Sequence, residues 1–272
     1  MPDIMTLLPQ AGLLLAIGAL AGALAGLLGV GGGIVLVPAF FYTFSALGYD
    51  SLQLMQICLA TSLATIVVTS LRSLNAHHRK GAVEWPILRR WGPGIAVGAV
   101  VGMVVATQLR SDVLQALFGG IGVVIGLYMV FGRTDWRLGT QMPGGIFRIV
   151  LSPLIGFLSV LMGIGGGSFG VPTMTLFGVP IHRAVATASG YGVIIALPAV
   201  IGFLFADVAV APPLTVGTVN LAAFGLVVCM TLITAPWGAA LAHRMNPKPL
   251  KRAFGVFLIV IALNMLRTVI NG

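Results

Sequence analysis

Two glycine runs hold the residues most able to do chemistry. Gly29-Val30-Gly31-Gly32-Gly33 is followed by Pro38, and Gly163-Ile164-Gly165-Gly166-Gly167 by Pro172, an offset of 134 residues. Each glycine inside a helix costs about 1 kcal/mol relative to alanine, so three together need a compensating reason. An unwound turn feeding a new helix supplies one. The N-terminus of that helix presents free backbone N–H groups and about half a positive charge, which suits an anion. Gly31, Gly32, Gly33, Gly165, Gly166 and Gly167 are therefore candidate substrate-binding residues.

Hydroxyl groups extend this set. Thr61 and Ser62 follow the first run, and Ser168, Thr187 and Ser189 belong to the second; Tyr191, Asn220 and Asn264 are further candidates. They would donate hydrogen bonds to an oxyanion, although a serine or threonine in a membrane helix often bonds its own backbone instead. The matching places of Thr61 and Thr187 in the two copies favour those two. Arg72 has two readings, as an attractor of the anion or as an interfacial arginine with its stem along apolar surface.

Several other chemistries find no support. The Gly29-x-Gly31 spacing with Asp50 downstream superficially resembles a dinucleotide fingerprint, which requires a soluble strand–turn–helix unit; here both flanks are membrane-length apolar runs. Asp3, Asp50, Glu84, Asp112, Asp135 and Asp207 all fall in expected loops or termini, and His77, His78, His182 and His243 at expected helix ends. A proton- or sodium-coupled pathway usually keeps a carboxylate within the membrane. With no acid pair, no histidine-rich metal spacing and no serine–histidine pair at one depth, an intramembrane enzyme is disfavoured. Cys58 and Cys229 lie in apolar spans as small fillers, and neither a metal nor a cofactor is expected.

The elements that must position these groups are membrane helices. The chain of 272 residues is 58% hydrophobic and only 8% charged, where a soluble domain carries about 25% charged residues. Uncharged stretches such as 4–49, 51–71, 113–132, 149–181, 184–206 and 208–242 reach the roughly 18–20 residues that span a bilayer. Helices are required because lipid cannot satisfy open backbone groups. The net charge of +9 comes from short clusters between apolar spans, so it reads as topology and not as nucleic-acid binding.

The duplication continues beyond the glycine runs: Ala60-Thr61 matches Ala186-Thr187, Gly102 matches Gly238, and Phe118-Gly119 matches Phe254-Gly255. The expected fold is an all-α polytopic membrane protein of two homologous halves, 1–135 and 146–272, joined by a linker at 136–145. Each half holds a glycine-broken or re-entrant helix and three transmembrane helices. The broken elements are expected at 7–44 and 146–177, and the ordinary spans at 52–74, 91–109, 113–132, 184–205, 218–241 and 250–270. Spacings such as Gly18-x3-Gly22 and Gly98-x3-Gly102 read as close helix packing.

Basic residues indicate how the halves are oriented. If every segment crossed once, with the N-terminus inside, Arg110, Arg183, Arg244, Lys248, Lys251 and Arg252 would lie outside and the other nine Lys and Arg inside. If each broken element returns to its own side, with both termini outside, only Arg110 and Arg267 of the fifteen lie outside. The positive-inside rule prefers the second arrangement, in which the halves are inverted repeats. Inverted repeats around broken helices are a recurring transporter design, with substrate held near the midplane.

Gly26-Leu27-Leu28-Gly29-Val30-Gly31-Gly32-Gly33 through Pro38, the copy from Met162 to Pro172, the Ala60-Thr61-Ser62 and Ala186-Thr187-Ala188-Ser189 stretches, and His78-Arg79-Lys80-Gly81-Ala82-Val83 resemble the sulfite exporter TauE/SafE family. The resemblance spans essentially the whole chain. It implies inner-membrane transport of a sulfur oxyanion or organosulfonate, usually as export. The expected partners are a small anionic substrate and the lipid bilayer, with a homodimer left open and no nucleic acid. An anion channel, or a carrier for another small carboxylate or oxyanion, is the alternative.

Overall fold

In the computed structural model, residues 4–28, 32–132, 136–242 and 247–271 are described. They form ten helices in chain order: α1 (Ile4–Leu28), α2 (Gly33–Ala46), α3 (Leu54–Arg79), α4 (Trp85–Gln108), α5 (Ser111–Phe131), α6 (Gly145–Leu161), α7 (Gly167–Leu176), α8 (Ile181–Leu204), α9 (Leu221–Ala242) and α10 (Pro247–Asn271). Six of them, α3, α4, α5, α8, α9 and α10, are long and apolar enough to cross a membrane. The chain is a multi-pass α-helical membrane protein.

Both expected broken elements are interrupted at their glycine runs. The first is α1 and α2, and the second is α6 and α7, with 162–166 between them. Gly29 and Gly31 lie outside the described residues, as do Asp3, Arg133, Asp135, His243 and Arg244. Helices α3 and α4 run further than their apolar runs suggest. α3 continues through His77, His78 and Arg79, and α4 starts at Trp85 rather than Trp91. Polar and basic residues extend a helix into the interfacial layer, where they meet water, so hydropathy alone truncates such spans. A short hairpin, β1 (Thr215–Val216) with β2 (Val219–Asn220), occupies the loop before α9.

The main helix pairings recur when α1–α5 are exchanged with α6–α10. α1 lies along α9 as α6 lies along α4, α2 rests on α3 as α7 rests on α8, and α3 pairs with α8 and α5 with α10. Helix directions follow from the contacts. Along α5, Gln115 donates to the carbonyl of Met265, Gly122 meets Ala262 and Gly126 meets Ile259, so α10 runs antiparallel to it. Gly18 meets Val227 and Gly22 meets Thr231, so α1 and α9 are parallel. Gly98 against Pro153 and Gly102 against Phe157 make α4 and α6 parallel as well. These small residues bring backbones close, which replaces the hydrophobic drive that lipid removes.

The centre is α3, whose residues from Leu54 to Ile66 are all buried, and α8 beside it. Apolar side chains such as Val97, Val104, Val256 and Val260 point outward from α4 and α10, as a lipid-facing surface requires. Loops gather at two ends. At one, the Gln53 amide donates to the carbonyl of Asp207 (3.1 Å) and accepts from the Ala209 N–H (3.0 Å), while the Ser111 N–H donates to the carbonyl of Leu52 (2.8 Å). At the other, Arg183 pairs with Glu84, and the Leu138 N–H in the 136–145 segment donates to the carbonyl of Leu176 (2.7 Å).

Candidate functional site

The two glycine breaks touch. Gly32, at φ 73°, takes the left-handed backbone that turns the chain into α2, and Gly163, at φ 61°, does so at the end of α6. A Cβ on Gly33 would lie 2.6 Å from the Gly163 carbonyl oxygen and 2.9 Å from Ile164 Cα. One on Gly163 would lie 2.7 Å from Val37 Cγ2 and 2.9 Å from Leu59 Cα. Side chains at these positions would push the breaks apart. Ser62, fully buried on α3, donates to the Gly163 carbonyl at 2.7 Å and ties that oxygen to the central helix.

Around the second break lie hydroxyl groups that hold nothing. Ser168 in the first turn of α7, Ser159 one turn before the break and Tyr191 on α8 are buried, and among the described residues their hydroxyls have no hydrogen-bond partner. The Tyr191 Cβ and backbone lie against Gly166 and its ring against Gly170, so those glycines let α8 approach α7 closely. An unpaired buried polar group costs about 1–3 kcal/mol, and three on the helices that flank one glycine break require an explanation. The first break lacks this polarity. Ile34 stands where the second break has Ser168, and Thr65, in Tyr191's place by the Thr61–Thr187 match, donates to the carbonyl of Thr61 at 3.1 Å.

The other expected hydroxyls are already occupied. Thr61 accepts the Asn220 N–H (3.0 Å) at the start of α9. Thr187 accepts the Glu84 N–H (2.9 Å) at the start of α4 and donates to the carbonyl of Arg183 (2.8 Å). The equivalent threonines thus accept the N–H of the residue that precedes equivalent helices, α4 and α9. Ser189 donates to the carbonyl of Ala186 in its own helix (2.6 Å). Asn220 caps α9 by accepting the Ala223 N–H, and Asn264 donates to the Tyr42 hydroxyl.

The structure brings together Gly32, Gly33, Ser62, Gly165, Gly166, Gly167 and Ser168; Gly31 lies outside the described residues. Arg72 is exposed on α3, about 15 Å along the helix from Ser62 at 1.5 Å per residue. Ser159 was not among the sequence candidates. Its signal was its place four residues before Gly163, the spacing that sets it one turn from the break. Among the described acids, Asp50 and Asp207 lie in loops, Glu84 caps α4 and Asp112 sits in the first turn of α5.

Comparison with known proteins places the chain in a wider group. The family described as sulfite exporter TauE/SafE matches residues 14–265. A probable membrane transporter protein of Haemophilus influenzae is 31% identical over 255 residues, covering 93% of this chain and 97% of the relative. Probable membrane transporter proteins of Methanocaldococcus jannaschii (24% identical, 97% of each chain) and Bacillus subtilis (28%, 93% of this chain and 96% of the relative) are similar over almost their full length. No solved structure matches the chain.

Proposed function

Because the chain belongs to the sulfite exporter TauE/SafE family, we propose that this membrane transporter carries a small sulfur-containing anion, sulfite or an organosulfonate, out of the cell across the inner membrane. The observation that carries the reading is the contact of the two glycine breaks beside three unpartnered hydroxyls, Ser159, Ser168 and Tyr191. The N-terminus of α7 offers backbone N–H groups and a partial positive charge, and hydroxyls at its margin would complete the coordination of an oxyanion. Ser62 already occupies the Gly163 carbonyl oxygen with a hydrogen bond.

Alternating access between two inverted halves, 1–135 and 146–272 about the 136–145 linker, is the proposed motion. Two helices related by an axis along the membrane normal would be parallel, and the antiparallel packing of α5 on α10 speaks for an axis in the membrane plane. The basic residues add weight, because Arg79, Lys80, Arg137 and Arg183 all belong to the loop end that holds the Glu84–Arg183 pair. With the described carboxylates kept to loops and helix ends, an inside-negative potential is the proposed driving force, at roughly 2.3 kcal/mol per charge per 100 mV.

The test is efflux from proteoliposomes under an imposed potential, with sulfite, sulfoacetate, taurine, sulfate and acetate measured in parallel. The reading expects saturable movement of sulfite or sulfoacetate that reverses with the sign of the potential. Non-saturating flux would favour a channel. Flux indifferent to the potential, or confined to non-sulfur carboxylates, would overturn the proposal.

A further inference from the structure

A cavity lined by two arginines lies away from the glycine breaks. At the arginine-rich loop end, Pro86, Ile87, Arg90 and Trp91 of α4 face Met142, Pro143, Gly144 and Arg148 across a cavity of about 90 Å³. Arg90 and Arg148 both line it, and among the described residues neither has an acidic partner, since Glu84 is paired with Arg183. Two guanidinium groups lining one cavity make it electropositive, which favours an anion there. The first turn of α6 begins at the same wall with no side-chain cap on its N–H groups.

We propose that this cavity binds the phosphodiester headgroup of an anionic phospholipid. Its volume is well below the roughly 300 Å³ of a pocket that encloses a whole organic ligand, so it suits one charged group whose remainder lies outside. That remainder has a surface to follow. Ile146, Phe147, Ile149 and Val150 surround Arg148 on the first turns of α6 and are each about 60–70% exposed (69%, 66%, 61% and 59%), as acyl-facing side chains would be. The buried Trp91 ring and the prolines Pro86 and Pro143 form the apolar part of the wall. Basic pockets between transmembrane helices are a known form of headgroup recognition.

The experiment measures binding to the full-length protein in phosphatidylcholine nanodiscs, by thermal melting and by lipid retained in native mass spectrometry. Added phosphatidylglycerol should raise the melting temperature and remain bound, whereas inorganic phosphate should leave the temperature unchanged. The double variant R90Q/R148Q should bind phosphatidylglycerol about 30-fold more weakly, at about five-fold for each basic residue; R137Q, outside the cavity, should bind as the wild type. If the double variant fails to fold, the wild-type preference for phosphatidylglycerol over phosphatidylcholine, and its loss in R148Q alone, decide the matter. Undiminished binding in the arginine variants, or a shift by inorganic phosphate equal to that by the lipid, would overturn the proposal. Because the readout is binding, it stands or falls independently of which anion is transported.

Discussion

Thr61 and Thr187 commit their hydroxyls to backbone N–H groups across the molecule, whereas Ser159, Ser168 and Tyr191 keep theirs free beside the second break. This difference separates two kinds of substitution. Tyr191→Phe keeps the ring that packs on Gly170 and removes only the hydroxyl, and Ser168→Ala does the same on a smaller scale. If these groups hold the anion, each loss should raise KM about ten-fold or more, the size of a hydrogen bond to a charged group, with expression unchanged. Thr61→Val and Thr187→Val should instead lower thermal stability by about 0.6 kcal/mol each, typical of a hydrogen bond within a membrane protein, and leave KM near wild type. Steady-state efflux kinetics alongside melting curves distinguish the two groups.

At the scale of elements, the proposed motion requires both loop ends to part in turn. The Gln53 amide bridges to Asp207 and Ala209 at one end, and Arg183 pairs with Glu84 at the other. A disulfide introduced between Gln53→Cys and Asp207→Cys, or between Glu84→Cys and Arg183→Cys, should stop transport, and reduction should restore it. Flux surviving both crosslinks would contradict alternating access. The elements themselves were largely legible in the sequence, because glycine runs inside apolar stretches have few uses and long uncharged spans have one solvent. What escaped was set by tertiary contact. The capping roles of Thr61 and Thr187 depend on helices that lie 159 and 103 residues away in sequence. The hairpin at 215–220 lies in a stretch with no alternating pattern to announce it. Ser159 became a candidate only once the break at Gly163 was seen to sit one turn from it.

For the whole molecule, the proposed inverted arrangement predicts which residues share a side. A single cysteine at Asp207 should react with an impermeant thiol reagent from the periplasmic face, and one at Arg79 only from the cytoplasm. The central claim is that the touching glycine breaks are the anion site, and potential-driven efflux from proteoliposomes tests it most directly when wild type is compared with Gly33→Leu and Gly163→Leu. A side chain at either position must displace the opposite break, so the account predicts saturable efflux by the wild type and none by either variant, with both variants inserted in the membrane to the same extent as the wild type. Efflux at the wild-type rate by a correctly inserted Gly33→Leu or Gly163→Leu protein would contradict it.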